Sequence, residues 1–357
     1  MDIRIEPLPD ERRKPLPTDP AQLGFGQIFT DRILKAQWDA RRGWHDVRIE
    51  PYAPLVLDPA AKVFHYAQEV FEGLKAYRWP DGRIVLFRPQ MNAARFNRSA
   101  ARLALPEVPE ELFLEGVDTL VRLERDWVPG AAGTSLYIRP TLIAVEPTLG
   151  VRPSEQCLFF VILSPVGDYY AAGFNPVRIL VEDSYVRAVP GGTGTAKTGG
   201  NYASSLMAGL KAKERGFEQV LWLDGIQRRW VEEVGAMNIF FVADGTLVTP
   251  PLTDSFLAGV TRDSVLELAR ALGIPVDVRP VDIDALMADV RSGRVSEAFG
   301  SGTAAVVSPV GVLGYKSETC TVGSGGVGPL TQRLYDTLTG IQYGRLEDRF
   351  GWMHQVK

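Results

Sequence analysis

The sequence predicts a two-domain protein in which a small α+β domain is followed by a larger α/β domain built on a mixed sheet. Its 357 residues suffice for two hydrophobic cores, since domains average roughly 150 residues. Short apolar segments of strand length alternate with longer amphipathic segments. A Gly/Asn/Pro cluster at 171–176 separates two predicted strands and favours a linker. We therefore expect an extended arm at 1–22, a small domain at 23–172 and a large domain at 173–357.

The arm and the small domain follow from local composition. Residues 1–22 hold five prolines and several charges, which favours an extended segment over a packed element. Beyond the arm, apolar segments predict strands and amphipathic periodicity predicts helices. The predicted strands are 83–87, 135–145 and 157–163, and the predicted helices are 89–104 and 110–126.

The large domain shows an alternation of strands and helices. Strands are predicted at 177–181, 220–223 and 238–242, and helices at 261–272, which Gly273 ends, and near 329–340. This order is typical of a mixed sheet with helices packed outside.

Composition excludes several classes of function. A net charge of -4 with scattered basic residues gives no surface for nucleic acid. Cys157 and Cys320 are the only cysteines; they form no disulfide framework, and neither has a His or Cys at metal-ligand spacing. The start of the chain lacks the apolar stretch of a secretory signal, and no apolar run approaches the roughly 20 residues of a membrane span. We expect a cytoplasmic protein without bound metal.

A glycine-rich loop at 190–202 contains one lysine, Lys197, between glycine pairs. A Walker-type phosphate loop requires Gly directly before its Lys, but Ala196 stands there, and the preceding strand ends well upstream near Val181. Lysines that form a Schiff base are desolvated amines able to attack an aldehyde and then to move protons. An exposed loop lysine is the third interpretation, because most lysines are exposed. The choice depends on the rest of the chain.

Eight segments, in order, resemble one family. Lys-Thr-Gly-Gly-Asn-Tyr at 197–202 resembles the lysine motif of the branched-chain aminotransferases, which belong to the fold-type IV enzymes that use pyridoxal 5'-phosphate (PLP). The other segments that resemble the family are 64–66, 71–77, 86–89, 136–140, 218–223, 233–238 and 299–304. The likeness extends from about Phe25 to Tyr343, nearly the full chain.

This resemblance implies a fold like that of D-amino-acid aminotransferase, with PLP at the domain interface of a homodimer. It implies reversible amino transfer between L-leucine, L-isoleucine or L-valine and 2-oxoglutarate, with Lys197 as both Schiff-base anchor and proton carrier. The alternatives are another fold-type IV activity (D-amino-acid aminotransferase or aminodeoxychorismate lyase), a PLP-binding protein without catalysis, and a nucleotide-binding loop.

The cofactor requires a carboxylate at its ring nitrogen and donors for its phosphate. Glu232 and Glu233 point to opposite faces of an extended segment; the resemblance selects Glu233, which leaves Glu232 in solvent. The residues 259–261 open a predicted helix, whose free N–H groups suit an anion. The resemblance adds Arg95, although Arg98 and Arg102 share its helix face and compete from sequence alone. The expected cofactor contacts are Arg95, Lys197, Tyr202 (at O3'), Glu233, Val260, Thr261 and Thr303.

The substrate requires a carboxylate site beside an apolar pocket. The turn at 300–304 offers N–H groups, and the resemblance adds Tyr137 with Arg139 behind it. The substrate contacts implied by the resemblance are Phe25, Tyr66, Phe71, Tyr137, Arg139, Tyr169, Thr303 and Ala304. An apolar pocket separates leucine, isoleucine and valine weakly, because one methylene changes binding by only about 1–3 kcal/mol.

The sequence departs from the family pattern at two places. Animal members carry a Cys-x-x-Cys pair just after the Thr-Ala turn, where this chain has Ala305 and Ser308, so thiol switching is not expected. Ala236 stands where relatives often have Thr, which removes a hydroxyl expected near the substrate.

Overall fold

The computed structural model describes residues 2–167 and 174–357. Their contacts divide the chain into two compact units. Unit 1 contains the described residues up to 167 together with Ala196–Gly199 and Ile341–Lys357, and unit 2 contains 174–195 and Gly200–Gly340. The predicted boundary at 172/173 lies outside the described residues, so it stays a prediction.

The first part of the chain confirms the predicted strands and helices to within a few residues. Its elements are β1 (Arg4–Ile5), β2 (Arg32–Asp39), β3 (Gly43–Pro51), α1 (Lys62–Tyr66), β4 (Glu69–Phe71), β5 (Leu74–Arg78), β6 (Ile84–Phe87), α2 (Pro89–Arg102), α3 (Glu110–Leu123), β7 (Ser135–Ala144) and β8 (Gln156–Val166). Single-turn 3-10 helices lie at Asp10–Arg12, Pro20–Gln22 and Arg125–Trp127.

The second part confirms the predicted alternation. Its elements are β9 (Val177–Glu182), α4 (Gly199–Ala203), α5 (Leu206–Glu214), β10 (Gln219–Leu223), β11 (Val231–Val234), β12 (Met237–Ala243), β13 (Thr246–Thr249), α6 (Val260–Ala271), β14 (Val276–Val278), α7 (Ile283–Arg291), β15 (Val295–Gly302), β16 (Val306–Tyr315), β17 (Glu318–Thr321), α8 (Pro329–Gln342) and β18 (Met353–Gln355). None of the helices in the described part of the chain combines the length and apolar character needed to cross a membrane.

The sheet of unit 1 has one face in the hydrophobic core and one face turned away from it. Its described strands follow the order β1-β3-β2-β8-β7-β5-β6-β18, and β4 pairs with β7. Side chains alternate along β7, and Leu136, Ile138 and Leu142 join the core that includes residues of α2 and α3. Tyr137 and Arg139 therefore point to the opposite face.

The arm and the C-terminal segment both pair with strands of this sheet. β1 runs parallel to β3, and Lys14 Nζ donates to the carbonyl of Thr30 at 2.8 Å. β18 pairs antiparallel with β6. The arm is thus mostly exposed but hydrogen-bonded to its own unit.

The sheet of unit 2 closes part of itself into a ring. Its described strands follow the order β11-β10-β9-β16-β15-β12-β13-β14, and β11 also pairs with β12. β9 pairs in parallel with β10 and β16, while β12 is antiparallel to its partners. Because Glu233 pairs with Asn238 and Asn238 pairs with Ser301, these three side chains share one face.

Candidate active site

The backbone around Lys197 is held by side chains and backbone of unit 1. The N–H of Lys197 donates to Ser99 Oγ at 2.9 Å, and its carbonyl accepts the N–H of Phe71 at 2.9 Å. Glu69 accepts a hydrogen bond from the N–H of Gly199. The lysine is fixed on both sides, which explains why Ala196–Gly199 cluster with unit 1 although the chain on either side belongs to unit 2.

The side chain of Lys197 lies beside aromatic residues. Its Nζ is 4.8 Å from the ring centroid of Phe71, and Arg139 Cζ is 4.7 Å from the same ring. Arg139 Nη2 donates to Tyr137 Oη at 3.2 Å, and Phe25 meets Tyr137 edge-on with centroids 5.0 Å apart. The structure thus brings Phe25, Phe71, Tyr137 and Arg139, four predicted substrate residues, together with the predicted lysine; we call these five the aromatic group.

Gly73 makes room for Tyr137. A Cβ at Gly73 would lie 1.9 Å from Tyr137 Oη and 2.8 Å from its Cζ, closer than real contacts allow. This close approach explains why glycine stands in the Phe-Glu-Gly-Leu segment, and it fixes the hydroxyl that the resemblance assigns to the substrate carboxylate.

A buried ion pair begins at Glu72, the residue that follows Phe71. Glu72 accepts from Arg95 Nε at 2.6 Å and Nη2 at 2.9 Å. Burial alone would raise the pKa of Glu72, but the charge and hydrogen bonds of Arg95 and the nearby charge of Lys197 hold that pKa below its usual value. Arg95 is buried whereas Arg98 and Arg102 are exposed, so the structure separates the three arginines that the sequence left equal.

In unit 2, a second arginine joins two predicted cofactor residues. Glu233 is 2% exposed, and its Oε2 lies 2.9 Å from Arg187 Nη1. The guanidinium of Arg187 lies 5.6 Å from the ring centroid of Tyr202. Sequence reasoning missed Arg187, although it is the only charged residue between Asp183 and Lys197.

The expectation that Glu232 is solvated is wrong. Glu232 is buried and accepts a hydrogen bond from Ser255 Oγ. Burial raises the pKa of Glu232 to about 7, against the hydrogen bond from Ser255 and with help from the negative charge of Glu233. Alternation correctly places the two glutamates on opposite faces of β11, but the segment around Ser255, distant in sequence, covers the second face.

The start of α6 is suited to an anion. Gly259 is its N-cap and provides no side-chain cap, while Val260 and Thr261 in the first turn are buried. A buried helix start without a capping side chain requires acceptors from elsewhere, and a phosphate supplies them.

The predicted substrate turn lies between β15 and β16. Thr303 and Ala304 are half-buried there, and the next strand begins at Val306 with a φ of 62°. A β-branched residue in the left-handed region is strained, and such strain tends to occur at functional sites. Ala236 lies in the β11–β12 turn and is exposed.

The remaining predicted pocket residues are not part of the aromatic group. Tyr66 ends α1, is 42% exposed, and its hydroxyl donates to the carbonyl of Leu149. Tyr169 lies outside the described residues.

Unit 1 holds a lysine beside aromatic rings, and unit 2 holds a buried carboxylate and a buried helix start without a side-chain cap. Each of these features, taken by itself, suits one part of PLP, and sequence comparison identifies the class of protein. The sequence model of the amino-transferase class IV family matches residues 69–312, and the chain belongs to this family. Among curated relatives, branched-chain-amino-acid transaminase 1 of Bacillus subtilis is 55% identical, over 95% of this chain and 95% of the relative. A probable branched-chain-amino-acid aminotransferase of Streptomyces coelicolor is 50% identical, over 98% and 96%. The predicted branched-chain aminotransferase resemblance is confirmed.

Solved structures confirm the predicted fold-type IV class. A branched-chain amino acid aminotransferase from T.th., with pyridoxamine 5'-phosphate, has a TM-score of 0.75 at 30% identity, over 90% of this chain and 98% of that one. The enzyme from Escherichia coli has a TM-score of 0.72 at 29% identity, over 91% and 99%. Other structures of the T.th. enzyme hold N-(5'-phosphopyridoxyl)-L-glutamate or 4-methylvaleric acid.

Proposed function

We propose that the protein transfers amino groups reversibly between L-leucine, L-isoleucine or L-valine and 2-oxoglutarate, with PLP as cofactor. The observation that carries this proposal is the aromatic group, in which a lysine and an arginine flank one phenylalanine ring, 4.8 Å and 4.7 Å from its centroid. This arrangement offers an amine, a carboxylate-binding cation and an apolar wall on one side of a sheet.

The relatives support both halves of the reaction. The T.th. enzyme forms complexes with a glutamate derivative of the cofactor and with a branched apolar acid. A site that alternates between such substrates needs apolar surface and a cation together, and the aromatic group has both.

PLP, when bound, acts as an electron sink for carbanion chemistry. The chain must hold it, keep its ring nitrogen protonated and move one proton at the substrate α-carbon. We assign covalent attachment and proton transfer to Lys197, the ring nitrogen to Glu233 and O3' to Tyr202. We assign the phosphate to Val260 and Thr261 at the start of α6, with Arg95 and Thr303 as further donors. Glu233 suits its role because its buried carboxylate lies 2.9 Å from Arg187 Nη1, and the ring nitrogen requires a carboxylate partner.

The substrate contacts follow from the aromatic group. Tyr137 and Arg139 bind the carboxylate, the turn at Thr303 and Ala304 adds N–H groups, and Phe25 and Phe71 cover the side chain. Tyr66 and Tyr169 complete the proposed pocket. Because an apolar pocket separates side chains that differ by one methylene only weakly, we expect all three branched-chain amino acids to be substrates.

Lys197→Ala tests the assignment. The variant should lose turnover with L-leucine and 2-oxoglutarate, and borohydride reduction of the wild type should leave a pyridoxyl label on the peptide that contains Lys197. Lys211→Ala, which removes an exposed lysine of α5, is the matched control and should keep wild-type activity. Faster turnover of D-alanine than of L-leucine, or a label on another peptide, would contradict the proposal.

We also propose a homodimer in the cytoplasm. An exposed apolar surface supports the dimer, because Phe64, Tyr66, Leu149 and Val151 are all at least 42% exposed and a hydrogen bond ties Tyr66 to Leu149. Two free, buried cysteines agree with a reducing compartment. Light scattering should give the mass of a dimer for the wild type and a lower mass for Leu149→Glu/Val151→Glu; an unchanged mass of the double variant would place the interface elsewhere.

A further inference from the structure

Asn238 occupies a central place among the proposed cofactor residues of unit 2. It lies on β12 between two strands, paired with Glu233 of β11 on one side and with Ser301 of β15 on the other. Its side chain is buried. Asn238 ends the segment 233–238 that resembles the family, but the resemblance gives it no task, and neither the proposed cofactor contacts nor the proposed substrate contacts include it.

One amide group of Asn238 contacts both ends of the proposed cofactor site. Its Nδ2 donates to the carbonyl of Leu257 at 3.0 Å and lies 3.4 Å from Glu233 Oε1. Leu257 precedes Gly259, the N-cap of α6. The carboxylate proposed for the ring nitrogen and the helix start proposed for the phosphate are therefore joined through a single planar side chain.

The other side of the same amide is packed equally closely. A Cβ at Gly259 would lie 2.1 Å from Asn238 Oδ1, so the N-cap of α6 rests directly on the Asn238 side chain. Ser301, the neighbour of Asn238 on β15, is also buried, and its hydroxyl has no hydrogen-bond partner within residues 2–167 and 174–357. Buried hydroxyls are normally paired, so this face of the sheet is shaped for a polar ligand.

We propose that Asn238 is a positioning residue that sets the spacing between Glu233 and the start of α6, so that one rigid PLP molecule reaches both. This inference rests on the proposed function, since it takes the two assigned contacts as given. A ligand with two joined ends gains affinity over its fragments only when both sites are held at the matching separation. The same two sites, free to shift, still bind each fragment.

Three probes of the full-length apoprotein test this reasoning: PLP, pyridoxal (the ring without phosphate) and inorganic phosphate as a competitor of PLP. For Asn238→Ala we expect the Kd of PLP to rise about tenfold or more, while those of pyridoxal and phosphate stay within about threefold of wild type. Equal losses for all three probes, or none, would overturn the proposal. Failure of phosphate to compete with PLP on the wild type would instead remove the proposed phosphate site itself.

Gly259→Ala tests the same contact from the opposite side. The added methyl must displace the Asn238 amide, so the variant should show the same selective loss of PLP affinity even if Asn238→Ala fails to fold. In the Asn238→Ala background Gly259→Ala should add less than about a threefold further loss, because the two substitutions act on one contact. Independent, multiplicative losses would count against Asn238 as the spacer. Gly209→Ala, where nothing lies within 4 Å of the new Cβ, is the matched control and should leave all three affinities unchanged.

Discussion

Gly73→Ala perturbs the aromatic group through one atom. The added Cβ would lie 1.9 Å from Tyr137 Oη, so the hydroxyl must retreat by at least about 1.5 Å to reach an ordinary contact distance. The Tyr137–Arg139 hydrogen bond is already 3.2 Å long, and the Tyr137 ring is held by its edge contact with Phe25. The tyrosine therefore cannot move without giving up one of these contacts.

The size of the effect follows from the lost contact. Hydrogen bonds to charged groups contribute about 1.5–3 kcal/mol, so misplacing Tyr137 should lower kcat/KM for L-leucine about 10- to 150-fold. Overpacking should lower the free energy of unfolding by about 1–3 kcal/mol. Steady-state kinetics with L-leucine and 2-oxoglutarate and urea unfolding measure the two effects.

Two further variants isolate the cause. Tyr137→Phe removes the atom at 1.9 Å but leaves the ring carbon at 2.8 Å, so in that background Gly73→Ala should cost less stability without becoming neutral. Gly209→Ala adds a methyl in open space on α5 and should be neutral or slightly stabilising. If Gly73→Ala keeps the wild-type kcat/KM and unfolding midpoint, the reasoning about this contact is wrong.

Three other predictions concern buried polar groups. Ser99→Ala removes the acceptor of the Lys197 N–H and should lower the free energy of unfolding by about 1–3 kcal/mol. Hydrogen exchange followed by mass spectrometry should show faster exchange in the peptide that contains Lys197. Unchanged exchange would count against the hydrogen bond to Ser99 as an anchor of the lysine. Burial raises the pKa of Glu232 to about 7, so the native state binds the proton of Glu232 more tightly than the unfolded state, and the free energy of unfolding falls as pH rises from about 4.5 to 7. Glu232→Gln should therefore stabilise the protein by about 1–2 kcal/mol more at pH 8 than at pH 5, as measured by urea unfolding. An effect of the substitution that does not depend on pH would refute the raised pKa. Burial also raises the pKa of the Cys157 thiol to about 12, so iodoacetamide at pH 8 should label Cys157 in urea and leave it unlabelled in the folded protein, a result that rapid native labelling would contradict.

Local sequence patterns predicted the parts of the fold that depend on local interactions. The helices at 89–104 and 110–126 were correct because each buries one apolar stripe, and their starts at Pro89 and Glu110 agree with α2 and α3. Pairing between distant strands is not encoded in such periodicity. The pairing of β12 with β15 and the parallel pairing of β9 with β16 therefore could not be predicted from the sequence.

In the candidate site, too, sequence motifs indicated some residues and gave no sign of the residues that reach them from distant parts of the chain. Motifs supplied Lys197, Glu233 and Tyr137, whose residue types match a chemical task. The residues that hold them were missed, because Ser99 and Arg187 are ordinary in type and reach their partners from 98 and 46 positions away in the chain. Sequence alternation gives the direction of a side chain but says nothing of what later covers it, which is why Glu232 was wrongly placed in solvent.

Substitutions near Lys197 should act in two ways, because Ala196–Gly199 belong to unit 1 and the chain on either side belongs to unit 2. The loop enters and leaves through unit 2, yet the Lys197 peptide is held by Ser99, Phe71 and Glu69. A glycine substitution in the loop changes the connection, whereas a change at these three residues changes where the amine lies. Because Phe71 supplies both a backbone donor to Lys197 and the ring beside its Nζ, the position of the amine and the apolar wall for the substrate are set by the same strand, β4. Substrate preference and lysine reactivity should therefore be coupled in variants of β4 and separable in variants of the glycine-rich loop.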